Sequence, residues 1–283
     1  MTSHDVVARV RKVLKQRRVG HTGTLDPMAS GVLPICLGQA TRVAEYLSES
    51  GKAYQAEITF GITTDTYDAE GTILRTIDAS TLTINQIEEM LPAFLGPQMQ
   101  QPPRYSAIKI QGQPAYKLAR AGEEIMLAAR PVEILQLQIL SWHCPRLSLS
   151  VACSKGTYIR SLAYDLGEKS GYGAYLTELV RTRSGPYSLQ DSITLEQLAT
   201  AAEQEKVAHY LFPPDSALQN YPALHLDAVT AQRVLHGNPF SYENSAALNT
   251  EKLARVYTPD GQFFAIASWD TELQQWQPKK VLA

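Results

Sequence analysis

The stretch Val19-Gly-His-Thr-Gly-Thr-Leu-Asp-Pro-Met-Ala-Ser-Gly-Val-Leu-Pro-Ile-Cys-Leu-Gly38 combines loop-forming residues with chemically capable side chains. Its glycines and prolines exclude a continuous helix. Because the residue before a proline is pushed toward extended geometry, Asp26 is predicted to lie on an irregular loop. The apolar residues within 32–37 would then return the chain to a core and anchor that loop. A carboxylate on a constrained loop is a candidate reactive group.

Residue pattern alone leaves two interpretations of this loop open. Asp26 and Pro27 could be reactive-loop residues, or they could simply start a turn that His21 caps. The stretch has neither the glycine–lysine pattern of a phosphate-binding loop nor the three-glycine pattern of a dinucleotide-binding loop. Ser30 also lies outside the G-x-S-x-G pattern of a serine hydrolase. These alternative chemistries are therefore excluded, and the turn remains the competing interpretation.

The motif Gly20-His-Thr-Gly-Thr-Leu-Asp-Pro-Met-Ala-Ser-Gly-Val-Leu-Pro34 resembles the catalytic motif of the TruB family of tRNA pseudouridine synthases. The resemblance implies that Asp26 is the essential catalytic residue for isomerising uridine-55 in the T-loop of tRNA. It also implies that His21 fills the gap left by the flipped uridine, with a general-base role for His21 as the alternative. Family members carry a short strand ending in Lys-Pro before the first helix, and we expect this sequence to start late or to be shortened there.

Three further motifs resemble the same family. Lys52-Ala-Tyr54 matches the motif whose tyrosine stacks on the target base and is a candidate proton acceptor. Cys153-Ser-Lys-Gly-Thr-Tyr-Ile-Arg160 implies that Arg160 is the partner of Asp26, with Tyr158 as a substrate-binding residue. Asp65-Thr-Tyr-Asp68 resembles the loop beside the active site, which gives Asp68 a supporting role among the substrate-binding residues. Leu179 matches a leucine that lines the base pocket, although it could equally be plain core.

Basic side chains cluster in two parts of the sequence. One set lies within a span of ten residues inside the predicted helix 5–18. It comprises Arg9, Arg11, Lys12, Lys15, Arg17 and Arg18. The other set alternates with aromatics in the segment 98–130, which resembles the family's RNA-binding thumb. Tyr105 and Lys109 of its Pro-Pro-Arg-Tyr-Ser-Ala-Ile-Lys core are expected to bind substrate. Cations for phosphates and flat rings for splayed bases are typical of RNA recognition.

Composition limits the classes of protein that fit. The chain has 283 residues, of which 44% are hydrophobic and 19% charged, as in ordinary soluble globular proteins. It has no apolar run of membrane-spanning length and no signal peptide, so we expect a cytoplasmic protein without a membrane partner. The net charge of -2 gives no overall nucleic-acid signal. Three widely spaced cysteines predict buried free thiols and no structural metal.

The resemblance implies an α/β (α+β) fold. The expected core is a mixed, largely antiparallel sheet flanked by helices, followed by a small β-rich PUA-like domain. The predicted domains are 1–212 and 213–283. Individual predictions are strands at 52–60 and 148–153, helices at 84–95, 158–168, 174–183, 194–206 and 229–236, and a hairpin joining 253–257 to 263–267.

Isomerisation of uridine implies no cofactor, because nothing leaves the substrate and nothing is oxidised. The expected partner is the T-arm of tRNA, bound by a monomer. Two alternatives stay open, a guide-RNA-dependent dyskerin-like synthase and a non-catalytic tRNA-binding or folding factor on the same scaffold. The sequence leaves the route of glycosidic cleavage undecided between a sugar ester, a base adduct and a glycal.

Overall fold

The computed structural model describes residues 1–48, 50–123, 125–242 and 253–282. The α-helices of these residues are α1 (Ser3–Leu14), α2 (Ala44–Ser48), α3 (Ile84–Met90), α4 (Ala115–Arg120), α5 (Ile159–Ser170), α6 (Leu195–Glu203) and α7 (Ala228–Leu235). The strands are β1 (Val19–His21), β2 (Ser30–Gly31), β3 (Ile35–Leu37), β4 (Lys52–Phe60), β5 (Ile62–Thr64), β6 (Ile73–Thr76), β7 (Gly96–Gln100), β8 (Lys109–Ile110), β9 (Gln113–Pro114), β10 (Arg130–His143), β11 (Arg146–Cys153), β12 (Ala174–Ser184), β13 (Tyr187–Ser188), β14 (Ala223–His225), β15 (Leu253–Tyr257), β16 (Phe263–Asp270) and β17 (Gln275–Val281).

The chain divides into two compact units. The central unit comprises Leu25–Val32 and Ser50–Ser192, and the terminal unit comprises Met1–Thr24, Leu33–Glu49 and Ile193–Ala283. The predicted boundary at residue 212 stays a prediction, and part of the predicted 213–283 domain lies outside the described residues. Asp26 belongs to the central unit and His21 to the terminal unit.

A seven-stranded sheet forms the centre of the central unit. Its main order is β13-β12-β4-β11-β10-β7, and β2 pairs with β12 off this path. The β2–β12 pair is parallel and the other pairs are antiparallel. Helices α3 and α5 pack with it over a core that includes Ile58, Leu149 and Leu166, all fully buried. The predicted mixed, largely antiparallel sheet flanked by helices is confirmed.

Strand β4 shows how the sequence specifies this sheet. Every second residue from Tyr54 to Phe60 is apolar, and these side chains are buried while those between them are more exposed. Alternation with a period of two places one set of side chains on the core face. Burying one large aliphatic side chain such as Ile58 contributes about 1.5–3 kcal/mol. The predicted strand 52–60 is confirmed at both ends.

The helix predicted at 174–183 is wrong, because this segment is strand β12. Leu176 and Leu179 are both buried although they are three residues apart, a spacing that is typical of a helix. The register with β4 shifts between Leu176 and Glu178, so Thr177 is an extra residue in the strand. A β-bulge of this kind returns the next residues to the same face and so imitates a helical period.

Helix α1 of the terminal unit has well-defined ends. The Thr2 side chain accepts a hydrogen bond from the Asp5 amide, and the Asp5 carboxylate accepts one from the Thr2 amide, which forms a capping box. Lys15 adopts a left-handed conformation with φ of 49° and ends the helix before the predicted residue 18. The six basic residues predicted in this region are all exposed. Val7 and Val10 pack against α6 in a small core.

A four-stranded sheet with the order β14-β15-β16-β17 forms the C-terminal part of this unit. Strands β15 and β16 are antiparallel, which confirms the predicted hairpin and the β-rich character of the segment. The fully buried Trp276 is its largest core side chain. In the part of the chain that is described, no helix is long and apolar enough to span a membrane.

The three cysteines are free, as predicted. Cys36 and Cys153 are buried, but Cys144 is exposed, so the prediction of burial is wrong there. Cys144 lies in the tight turn between β10 and β11, where the chain reverses at the edge of the core.

Candidate active site

The loop that carries Asp26 is fixed at its far end to strand β12. The Asp26 carbonyl accepts a hydrogen bond from the Ala29 amide at 2.9 Å, which closes a turn. The Val32 amide then donates to the Arg181 carbonyl at 2.8 Å. Gly31 has φ of +102°, and a Cβ there would lie 2.2 Å from the Arg181 carbonyl oxygen. Only glycine therefore allows the loop to lie this close to β12.

Arg160 lies in the first turn of α5 and pairs with Asp26. Its Nη2 donates to Asp26 Oδ1 at 3.0 Å, and its Nε lies 2.9 Å from Oδ2 without the alignment of a hydrogen bond. The Arg160 side chain is 6% exposed, whereas that of Asp26 is 32% exposed. The carboxylate is therefore accessible to a substrate while the cation that holds it is hidden.

Three further groups hold the Arg160 guanidinium in place. Nη2 donates to the Tyr105 carbonyl at 3.1 Å, and Nη1 donates to the Thr66 carbonyl at 3.4 Å. Nη1 also lies 3.4 Å from Asp68 Oδ2. One buried guanidinium thus contacts two carboxylates and two carbonyls. Charge-assisted contacts of this number fix its orientation before any ligand binds.

Asp68 is itself buried and fully bonded. Its Oδ1 accepts from Thr66 Oγ1 at 2.6 Å and from the Glu70 amide at 3.1 Å. Its carbonyl accepts from Thr64 Oγ1 at 2.8 Å. The structure places Asp68 close to Asp26 and Arg160. Asp68 contacts Arg160 through Nη1, whereas Asp26 contacts it through Nη2 and Nε.

Gln100 fixes the start of α5. Its side-chain amide donates to the Tyr158 carbonyl at 3.0 Å, and its side-chain oxygen accepts from the Tyr158 amide at 2.8 Å. Ser161 Oγ also donates to the Gln101 carbonyl at 2.7 Å. Since Arg160 lies between Tyr158 and Ser161, these bonds set the point from which its side chain extends.

Burial and charge act in opposite directions on Asp26. Loss of solvent around the carboxylate raises its pKa above the ordinary value of 3.8. The positive charges of Arg160 and Arg181 lower the pKa, while the negative charge of Asp68 raises it further. The cation contacts at 2.9–3.0 Å favour the ionised form that a nucleophile or base requires.

Tyr54 and Arg181 form a second buried pair that residue patterns did not predict. Burial raises the pKa of Tyr54 to about 12, and the Arg181 guanidinium, directly opposite on β12, acts against that rise. The Arg181 side chain is fully buried, and its Nε donates to the Val32 carbonyl at 2.7 Å. An isolated arginine is normally exposed. The available signal was the spacing of two between Leu179 and Arg181, which places both on one face of a strand.

The remaining predicted residues fall in different places. Leu179 is buried in the central core beside Ala56, and Tyr105 contributes its carbonyl to Arg160. Lys109 is exposed on the β8–β9 hairpin of the thumb-like segment. His21, in the terminal unit, accepts the Gly23 amide on Nδ1 at 3.3 Å and meets the His4 ring edge-on.

No group of three or more His, Cys, Asp or Glu residues in the described ranges is placed to hold a metal ion. The site brings together the accessible Asp26 carboxylate, the buried guanidiniums of Arg160 and Arg181 and the buried phenol of Tyr54. This set can stabilise charge, attack an electrophilic carbon and transfer protons.

Sequence profiles of known families match nearly the whole chain. Residues 11–159 match the TruB family pseudouridylate synthase (N terminal domain). Residues 160–219 match the tRNA pseudouridylate synthase B C-terminal domain, and residues 222–280 match the C-terminal domain of pseudouridine synthase II TruB.

Individual relatives agree with these profiles. The tRNA pseudouridine synthase B of Pseudomonas putida is 48% identical over 83% of this chain and 78% of its own, and that of Symbiobacterium thermophilum is 49% identical over 84% and 78%. Among solved structures, a Cbf5-Nop10-Gar1 complex aligns with a TM-score of 0.75 at 25% identity, over 100% of this chain and 82% of that one. An H/ACA RNP bound to a substrate RNA aligns with a TM-score of 0.74 at 23% identity, over the same shares of the two chains. The chain belongs to the TruB family of pseudouridylate synthases.

Proposed function

We propose that this protein is a tRNA pseudouridine synthase that isomerises uridine-55 in the T-loop of tRNA. The observation that carries the proposal is the buried Arg160, which holds the accessible Asp26 carboxylate on one side and Asp68 on the other. In the reaction the bond between N1 and the sugar C1′ breaks and a bond between C5 and C1′ forms. C5 loses a proton to water and N1 gains one, so atoms and electrons balance without a cofactor.

Asp26 carries the first step in this proposal. It breaks the glycosidic bond by attacking the sugar, by adding to the base or by deprotonating the sugar toward a glycal. Each route needs an ionised carboxylate, and desolvation opposes ionisation. Arg160 supports the charge through direct contact, and Asp68 keeps Arg160 aimed at Asp26. Asp68 therefore supports the reaction by positioning Arg160.

Tyr54 serves the last step. A phenol whose pKa is raised to about 12 keeps its own proton at neutral pH. It can pass on the C5 proton only in relay with water or another group, and its ring stacks on the uracil. Leu179 and Tyr158 line the position of the base.

The target uridine must leave the folded T-loop before it reaches Asp26, at a cost of a few kcal/mol in lost stacking. His21 fills the space that the base leaves, because a flat polar ring can stack and hydrogen-bond at once. Tyr105 and Lys109 of the thumb-like segment bind the RNA. The exposed cations of the α1 region bind phosphates, so tRNA affinity falls steeply with salt.

Two other functions are less well supported. The first is a guide-RNA-dependent synthase, and its support is the fold shared with a Cbf5 complex and an H/ACA particle at 23–25% identity. Relatives at 48–49% identity are each called tRNA pseudouridine synthase B, and this favours an enzyme that acts on tRNA. In this proposal the enzyme is a stand-alone cytoplasmic monomer that binds the T-arm. A non-catalytic tRNA-binding factor would have no need of a paired, accessible Asp26.

An unmodified tRNA transcript tritiated at C5 of uridine tests the proposal. We expect the wild-type protein alone to release tritium from position 55, and Asp26→Asn to release none while filter binding of the tRNA persists. Binding without release by the wild type would support the tRNA-binding factor instead. Release that required an added guide RNA would support the dyskerin-like alternative, and release from a transcript with cytidine at position 55 would refute the site assignment.

A further inference from the structure

Arg181 is a charged side chain in the interior of the central unit. It is 1% exposed, which is rare for arginine because a buried charge must be compensated by partners. One partner is the Val32 carbonyl, which accepts from Nε at 2.7 Å. The Arg181 carbonyl in turn accepts from the Val32 amide at 2.8 Å. Arg181 is therefore hydrogen-bonded through both its backbone and its side chain to Val32, the residue that ends the Asp26 loop.

The second partner is Tyr54. Arg181 on β12 and Tyr54 on β4 are directly opposite each other in the antiparallel pair, so their side chains leave the same face of the sheet as neighbours. The positive charge of this neighbouring guanidinium lowers the pKa of the Tyr54 phenol, against the larger effect of burial. One side chain thus connects the phenol of the proposed proton relay to the loop of the proposed nucleophile.

Charge balance gives Arg181 a further effect on Asp26. The ionisable groups that face the Asp26 carboxylate are Arg160 from α5, Asp68 from the β5–β6 connection, Arg181 from β12 and the hydroxyls of Tyr54 and Tyr158. With two carboxylates present, Arg160 alone would leave the group one negative charge in excess. Arg181 brings it to neutrality, which is the arrangement that a poorly solvated site favours.

We propose that Arg181 is a positioning residue of this active site, which fixes the Tyr54 hydroxyl and supplies the second positive charge that keeps Asp26 ionised. The proposal rests on the proposed function, because it assigns Arg181 to the reaction in which Asp26 and Tyr54 take part. Arginine suits both tasks, since its planar group offers several donors in fixed directions, whereas a lysine offers only a compact charge.

Three variants separate these two tasks. Arg181→Met removes the charge and the donors, Arg181→Lys keeps the charge alone, and Tyr54→Phe removes the hydroxyl. Arg183→Met is the matched control, because Arg183 lies on the same strand and its guanidinium donates to the Gly185 carbonyl outside the site. Tritium release from the tRNA transcript is followed under single turnover with saturating protein, from acid to neutral pH, and filter binding gives the tRNA Kd.

We expect Arg181→Met to slow release about 100-fold, as a misplaced catalytic group does, with an unchanged Kd. The acid limb of its profile of release rate against pH moves to higher pH, because a cation that lowers the pKa of Asp26 has been removed. Arg181→Lys loses rate but keeps the wild-type acid limb. Adding Arg181→Met to Tyr54→Phe produces less additional loss than Arg181→Met does alone, because both changes remove the same interaction.

An unmoved acid limb in Arg181→Met, or losses that multiply in the double variant, would overturn the proposal, as would equal losses in Arg183→Met. If Arg181→Met fails to fold, Arg181→Lys decides instead. A wild-type rate or a shifted acid limb in Arg181→Lys, or losses that multiply in its double variant with Tyr54→Phe, would overturn the proposal. A wild-type protein that releases no tritium refutes the proposed function. Release by the wild type without coupling between Arg181 and Tyr54 refutes only the role of Arg181.

Discussion

Replacing Gly31 by alanine tests how closely the Asp26 loop depends on its contact with β12. The new Cβ would lie 2.2 Å from the Arg181 carbonyl oxygen, and ordinary contact begins at 3.4 Å. The loop must therefore move by about 1.2 Å, which is the difference between these two distances. A displacement of about 1 Å at a catalytic group costs about 100-fold in rate. We expect Gly31→Ala to lose about that factor in single-turnover tritium release.

Backbone strain alone would give a different result, and Gly171→Ala measures it. Gly171 has φ of +82° and ends α5, but nothing lies within 4 Å of its added Cβ. It lies about 16 Å along the helix from Arg160, at 1.5 Å per residue. Alanine in a left-handed conformation costs about 1–2 kcal/mol, so both variants lose stability on thermal unfolding. Only Gly31→Ala is expected to lose activity.

Tritium release at the wild-type rate by folded Gly31→Ala would refute a dependence of Asp26 on the contact with β12. Equally slow release by Gly171→Ala would also refute it, since strain would then account for the whole effect. A Gly31→Ala protein that binds tRNA as the wild type does and melts cooperatively, yet reacts slowly, is the result that the contact with β12 predicts.

Three other changes have defined outcomes. Gln100→Met leaves the Tyr158 amide without its partner, while the Tyr158 carbonyl keeps the Leu162 amide, so we expect about 1–3 kcal/mol of lost stability and a slower reaction, measured by denaturant titration and tritium release. Burial raises the pKa of Asp165 to about 6, so its contribution to stability is full below the unfolded pKa near 3.8 and lost as pH rises through about 6. Asp165→Asn is therefore expected to raise the melting temperature at pH 8 and to leave it unchanged well below pH 3.8; a gain at the lower pH would contradict this sign. Ile58→Ala in the core costs about 2–5 kcal/mol, whereas Ile73→Ala at an exposed position costs almost nothing in the same titration.

Local patterns predicted the elements whose side-chain period is unbroken. Strand β4 alternates strictly from end to end, and its predicted and observed limits coincide. Helix α1 was predicted too long, because the left-handed Lys15 that ends it has no residue signal such as glycine. Strand β12 was mistaken for a helix because its bulge at Thr177 is set by pairing with β4, and pairing with a distant strand leaves no mark in a short window.

Residues of the candidate site also differ in whether a local motif or a distant partner reveals them. The resemblance supplied Asp26, Arg160 and Asp68 by position, and the structure brings these three side chains together. Arg181 was missed because its burial depends on distant partners, Tyr54 and Val32, and because its spacing of two from Leu179 has meaning only once this segment is known to be a strand. Without knowledge of those partners, a single arginine in a polar stretch is predicted to be exposed.

Both arginines of the site join parts of the chain that are distant in sequence. Arg160 connects α5 to the Asp26 loop, the Asp68 connection and the base of the thumb-like segment, and Arg181 connects β12 to β4 and to the end of the Asp26 loop. Because each guanidinium is buried, it is compensated only when all of its partners have arrived. The charge arrangement around Asp26 therefore exists only in the completed central fold. A segment that carries the Asp26 motif without β4, β12 and α5 would present the same residues but an ordinary, solvated carboxylate.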